Sequence, residues 1–247
     1  MADQPSSSAV ASIGATVSAA IAWSRRRRRL DPRALLARGG QAPSPVKVNL
    51  GSSLNVAPGW VNVDSSVIAL LSRWPRPLLR RLAGASAVAG TVGVDDFVAT
   101  LRGNVFVHHD LCDGVPFVDR SVDVVYTSHF LEHLSRSQGI ALLRECRRAL
   151  RAQGLIRVAV PDAEPAIRAL AEGRVEEGLT GLFMDGGTHE AHYHHFGYTE
   201  ELLRAALEEA GFGEVRRCAF REGQAPDVDL LDNRPEGTLF MEARRPS

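Results

Sequence analysis

Pro116-Phe-Val-Asp-Arg-Ser-Val-Asp-Val-Val-Tyr-Thr-Ser-His-Phe-Leu-Glu-His-Leu134 decides the fold, because in it an apolar, β-branched run ends abruptly on polar groups. Val122 to Tyr126 has the composition of a strand buried on both faces of a parallel sheet. Thr127, Ser128 and His129 follow at once. In open α/β sheets ligands bind outside the carboxyl ends of the strands, so these three residues stand where a ligand edge is expected. Phe130 to Leu134 then starts a helix or a helical turn.

Three upstream strand ends have the same character. Val46–Leu50 runs into Gly51-Ser-Ser, Trp60–Val63 runs into Asp64, and Asn104–His109 runs into Asp110 and Leu111. In this order, glycine turn, acid, acid and polar strand end, the chain resembles the class I S-adenosylmethionine-dependent methyltransferases. The phrases NLGSS, GWVNVD, HDL, PFVDRSVDVVYTSHFLEHL and RAQGLIRVAVPD are similar to the group called type 11. The resemblance runs from about Val46 to Arg244. It implies an α/β fold, a Rossmann-like seven-stranded sheet flanked by helices, and a cytoplasmic enzyme that uses S-adenosylmethionine.

Length and composition agree with a single such domain. A chain of 247 residues with 45% hydrophobic content can bury one substantial α/β core. Cys112, Cys146 and Cys218 have no metal-ligand spacing and form no even set, which points to a reducing compartment. Residues 1–40 carry seven arginines against Asp3 and Asp31, which leaves 22 basic and 27 acidic groups in residues 41–247. An acidic domain is a poor nucleic-acid binder. The expected organisation is an Arg-rich N-terminal extension over 1–40, followed by the methyltransferase domain over 41–247.

Ala9 to Trp23 is Ala-rich and only mildly apolar, too short to span a bilayer, and it precedes Arg25–Arg29 in an order opposite to that of a secretory signal. Two readings stay open for residues 9–29: a helix resting on an anionic membrane surface, or a lead into a short helix packed on the domain.

Cofactor residues follow from the turn chemistry together with the resemblance. Gly51 lets the backbone pass close to a ligand without a Cβ clash. The resemblance assigns the cofactor to Asn49, Gly51, Ser52, Asp64, Asp110, Leu111 and Ser128. Asn49 stands where most relatives have an acid, and Ser53 where a second glycine is common. Asp64 would accept the ribose hydroxyls and Asp110 the adenine amino group, with Leu111 beside the ring. Each acid could instead be a turn carboxylate or a helix cap. Only eight residues separate Gly51 from Trp60, so the first crossover is shortened to a turn without the usual helix. Between Asp64 and Asn104, two short amphipathic helices are expected around Val67–Leu71 and Leu78–Leu82. Ser135 and Thr199 read as N-caps of helices ending near Leu150 and Ala210, and Leu155–Val160 as the next strand. The resemblance, and not periodicity, implies that Phe212–Phe220 and Gly237–Ala243 form the antiparallel hairpin that completes the sheet.

Two histidine clusters remain. His129, Glu132 and His133 are spaced i, i+3, i+4 and share a face if helical. They are read as a base or acceptor contact at His129, as ligands of a divalent metal, or as helix anchors. A metal is not the expected outcome, and no metal ligand is assigned. The segment His189–Gly197 holds four of the eight histidines and is read as closing over the acceptor through His192 and His195. By resemblance the acceptor is a small-molecule or glycan hydroxyl. The competing reading is a non-catalytic cofactor-binding or scaffold protein, because the glycine turn is reduced and no acceptor motif is recognisable. A nicotinamide-dependent dehydrogenase is disfavoured because Gly51-Ser-Ser-Leu-Asn-Val lacks G-x-G-x-x-G.

Overall fold

A computed structural model of the chain describes residues 29–37, 44–84, 93–183 and 193–247. Seven strands form one sheet: β1 (Lys47–Leu50), β2 (Trp60–Asp64), β3 (Val105–His108), β4 (Val122–Ser128), β5 (Leu150–Pro161), β6 (Gly213–Cys218) and β7 (Thr238–Arg244). Their order is β3-β2-β1-β4-β5-β7-β6. The first five run parallel, and β7 lies antiparallel between β5 and β6. The closing antiparallel pair is therefore present, separated in sequence by a long loop with a short helix of its own.

Alternation along the strands sends side chains to opposite faces. Val48, Leu50, Val61, Val63 and Val125 join the main core on one face, whereas Trp60, Val124 and Tyr126 form a second cluster with Ala57 and Leu231. The main core is covered by two helices, α5 (Arg136–Ala149) and α8 (Glu200–Glu209), through Ile140, Leu143, Cys146, Leu203, Ala206 and Leu207, while α6 (Glu164–Ala171) and α7 (Val175–Phe183) follow β5. Both begin as expected. Ser135 and Gln138 complete a capping box, and the Thr199 hydroxyl accepts from the Leu202 amide. Gly211 ends α8 with a φ of +89°.

The first crossover has no helix, and residues 51–59 connect β1 to β2 directly. The next connection holds three helices: α2 (Val67–Leu71), α3 (Arg76–Gly84) and α4 (Val94–Gly103). The first two match the expected pair. The third was missed, although Asp95 and Asp96 in its first turn and buried Phe97, Val98 and Leu101 give it a normal amphipathic pattern. These three pack with Leu79 into a satellite core that includes Leu54, Ile68 and Trp74. Strand β5 begins at Leu150, earlier than the expected Leu155, because Leu150 pairs with Val122 before a register shift.

A short helix, α1 (Pro32–Ala37), follows the arginine run. Leu30 bridges to Phe117, and Leu30, Leu35 and Leu36 pack against the main core. Residues 29–37 thus lie on the folded domain, N-terminal to the division expected at residue 40. Most of the segment considered for membrane contact, residues 9–28, lies outside the described residues. Among the described residues, no helix is long and apolar enough to cross a membrane.

One polar group sits at the centre of the second face. Arg157 on β5 is fully buried, with its guanidinium 2.5 Å from Asp232 and 3.2 Å from Glu242, and it also donates to the carbonyls of Glu222 and Ala219. The network ties the loop between β6 and β7, with its helix α9 (Val228–Leu231), to the middle of the sheet. Burial alone would raise the pKa of Glu242. Arg216, the amides of Gln224 and Ala225, and Arg157 overcome that and hold it below the ordinary glutamate range.

Arg157→Ala leaves two carboxylates buried without their cation, and urea unfolding should show a loss of about 3–5 kcal/mol. Loss of only a few tenths would mean the network does not anchor the loop. Because the folded pKa of Glu242 is depressed, its contribution is present above the unfolded value of about 4.3 and disappears as pH falls through the folded value.

Candidate active site

Parallel pairing of β1 with β4 sets Leu50 beside Thr127, so the residues that follow, Gly51 and Ser128, emerge at the same edge. A cavity of about 430 Å³ opens there. Its walls come from the turn after β1 (Gly51, Ser52, Ser53, Leu54 and Asn55), from Asn49, from Ser128 and His129, and from Asn233 and Arg234 on the C-terminal loop.

Gly51 has a φ of +68°, and its amide donates to the Val63 carbonyl at 2.9 Å. A Cβ at this position would lie 2.6 Å from Cγ of Phe130. Glycine is required here by the ring beneath the turn as well as by the left-handed backbone. Asn49 is buried and spans the turn, its Nδ2 donating to the Asn55 carbonyl at 2.7 Å and to Asn62 Oδ1 at 3.3 Å. Asn49 thereby shapes the turn in addition to lining the cavity. The Ser52 hydroxyl is buried and has no hydrogen-bond partner among the described residues, which leaves it available to a polar ligand in the cavity.

Asp64 closes β2 with both oxygens engaged, accepting from the amide of Ser53 at 2.8 Å and from that of Ser66 at 2.7 Å. Each carboxylate oxygen retains a further lone pair for a hydroxyl donor. Asp110 accepts from the Cys112 amide and caps a single 3₁₀ turn, Leu111–Asp113. The Leu111 side chain is buried in the main core, so only its backbone is turned toward the edge. Behind this turn His109 bonds the Gly114 carbonyl at 3.0 Å, and burial lowers its pKa. The fourth strand's end therefore shares one cavity with the first turn, while Asp64, Asp110 and Leu111 lie farther along the same sheet edge.

His129 sits at the cavity wall in a left-handed conformation, with a φ of +51°. Arg234 donates to its Nδ1 at 3.3 Å, which makes Nε2 the protonated nitrogen and the donor to Thr238 Oγ1 at 3.2 Å. Glu132 Oε1 lies 3.4 Å from the same Nδ1. Glu132 and His133 belong to a 3₁₀ turn, Leu131–His133, that directly follows Phe130. The segment after residue 192 returns to this turn, where the amides of His195 and Phe196 both donate to the Glu132 carbonyl. His195 itself is exposed, and the histidine turned inward is His194, which is 6% exposed. His192 lies outside the described residues.

Three contributors escaped the sequence reading. Asn233 and Arg234 are more than a hundred residues from His129 in sequence and join it in the cavity wall, where Arg234 contacts it. His194 carried no signal that separated it from its neighbours.

S-adenosylmethionine fits the cavity on these observations: a glycine turn without room for a Cβ, an unpartnered serine hydroxyl in the wall, and an acid with spare acceptor capacity at the adjoining strand end. Residues 79–158 match a family model described as a methyltransferase domain, a span from α3 into β5. No curated protein sequence matches the chain. Solved structures with a similar fold include the S-adenosylmethionine-dependent methyltransferase SibL (16% identity, TM-score 0.49, covering 92% of this chain and 56% of that one). A methyltransferase from Thermotoga maritima gives 14% identity, a TM-score of 0.45 and coverage of 94% and 95%. Human N-acetylserotonin methyltransferase gives 12%, 0.47, and coverage of 82% and 48%. The chain thus spans only about half the length of two of these three.

Sheet order defines a Rossmann-like α/β domain, and residues 79–158 within it match a methyltransferase domain. The match to the methyltransferase domain family is carried by residues 79–158, about a third of the chain.

Gly51→Val should abolish measurable binding of S-adenosylhomocysteine, because the added side chain must displace Phe130 and the turn. Circular dichroism should still report a folded chain. Wild-type titration by this variant would place the cofactor elsewhere.

Proposed function

We propose that the protein transfers a methyl group to a hydroxyl of a small-molecule or glycan acceptor. One observation carries this reading: His129, at the wall of the cavity, presents a basic Nδ1 whose ring is oriented from the opposite side by Thr238. A hydroxyl acceptor must lose a proton, and a positioned imidazole is the usual means of taking it.

Bound S-adenosylmethionine would supply an electrophilic sulfonium methyl, which needs alignment more than covalent help. Asn49, Gly51, Ser52 and Ser128 would hold the methionyl end, Asp64 the ribose, and Asp110 with the Leu111 backbone the adenine. Nδ1 of His129 would receive the acceptor proton, with the nearby Glu132 carboxylate favouring the resulting imidazolium. For Nδ1 to accept that proton, Arg234 would first give up its bond to Nδ1 and turn to contact the acceptor. The acidic balance of residues 41–247 favours a neutral or small acceptor over a nucleic acid.

The test is incubation of the whole chain with methyl-labelled cofactor and fractionated metabolite and oligosaccharide extracts. Label should enter a small-molecule or glycan fraction, and His129→Ala should lower turnover by about a hundredfold or more while cofactor affinity is unchanged. Label entering only protein or nucleic acid, or full turnover by the variant, would contradict the proposal.

A further inference from the structure

Glu132 is 1% exposed, and neither of its carboxylate oxygens has a hydrogen-bond partner among the described residues. A buried carboxylate in this condition is costly, and folded proteins resolve the cost by pairing the charge or by coordinating a metal. Imidazoles surround it. His133 Nε2 is 4.0 Å from Glu132 Oε1, and ligand atoms of Glu132, His133 and His194 all lie within 4.8 Å of one another.

The histidine rings are prepared as ligands. His133 Nδ1 donates to the Tyr193 carbonyl at 3.1 Å, so its Nε2 carries the lone pair and faces the carboxylate. This is the outer hydrogen bond that fixes the tautomer and orientation of a metal-binding histidine. His194 is buried, and its backbone is fixed by an amide hydrogen bond to the Phe183 carbonyl at 3.2 Å. The two rings meet edge to face, 5.3 Å between centroids. His129 is excluded from the set because both of its nitrogens are already bonded, to Arg234 and to Thr238.

We propose that Glu132, His133 and His194 form a binding site for a divalent transition ion of the zinc class. Two imidazoles and one carboxylate are the donors such an ion takes, whereas magnesium and calcium require oxygen shells. Metal–ligand bonds of about 2.0–2.1 Å put tetrahedral ligand atoms roughly 3.3 Å apart, so the three side chains need close by at most about 1.5 Å. Three protein ligands leave a coordination position open. Glu132 Oε1 also lies 3.4 Å from His129 Nδ1, so the ion would stand one side chain away from the cavity. The site depends on the fold and does not rest on the identity of the acceptor.

The whole chain, stripped with a chelator and dialysed against micromolar Zn²⁺ in excess Mg²⁺, should retain one zinc per chain by mass spectrometry of the metal. Its thermal midpoint should rise by several degrees. Co²⁺ in place of Zn²⁺ should give the visible absorption bands of a four- or five-coordinate ion. Glu132→Gln, which keeps the side chain's size and removes its buried charge, should weaken zinc at least tenfold, as should His133→Ala and His194→Ala. His108→Ala, on β3, serves as the control and should bind as the wild type does. Absence of zinc from the wild-type chain, or wild-type affinity in Glu132→Gln, overturns the proposal. None of these readouts requires methyl transfer, so failure of the acceptor reading would leave them unchanged.

Discussion

Everything at the candidate site depends on the register between β1 and β4. Their parallel ladder pairs Lys47 with Val124 through Leu50 with Thr127, and it delivers Gly51 and Ser128 to one edge. Phe130 then slides beneath Gly51, at a distance that allows no Cβ on the glycine. The glycine turn after β1 and the turn that carries His129, Glu132 and His133 are consequently packed as one unit. A shift by a single residue would turn Val48 and Leu50 out of the core, so burial enforces the register that the chemistry needs.

The other wall of the site is brought from far along the chain by a buried charge. Arg157 gathers Asp232, Glu242 and two loop carbonyls, and Asn233 and Arg234 follow directly on Asp232. Asn55 and Tyr126 strengthen the same connection by bonding the Leu231 carbonyl. A hydrophobic replacement of such a network can be as stable. What this network adds is position: it fixes the residues that contact His129 relative to the sheet edge.

Local rules read much of this fold from sequence. The β-branched runs of β1 to β4, the caps Ser135 and Thr199, the stop at Gly211 and the short crossover before Trp60 all follow from chemistry within a few residues. The antiparallel pairing of β6 and β7 came from the resemblance alone. Helix α4 was legible in principle from Asp95, Asp96 and the spacing of Phe97 to Leu101, and was overlooked. Asn233, Arg234 and the inward turn of His194 were not legible, since they depend on contacts across the whole sheet and on two amides that converge on Glu132. Asp110 illustrates how one residue satisfies two readings, for its carboxylate caps a turn and still stands at the edge expected for the adenine.

The central claim is that the edge formed by β1, β2 and β4 holds S-adenosylmethionine, with Asp64 on the ribose. Isothermal titration of the whole chain with S-adenosylhomocysteine tests it most directly when paired with Asp64→Ala. One equivalent should bind to the wild type, and the variant should lose about 1.5–3 kcal/mol, roughly ten- to a hundredfold in affinity. A wild-type chain that binds nothing, or a variant that binds equally well, would contradict the account.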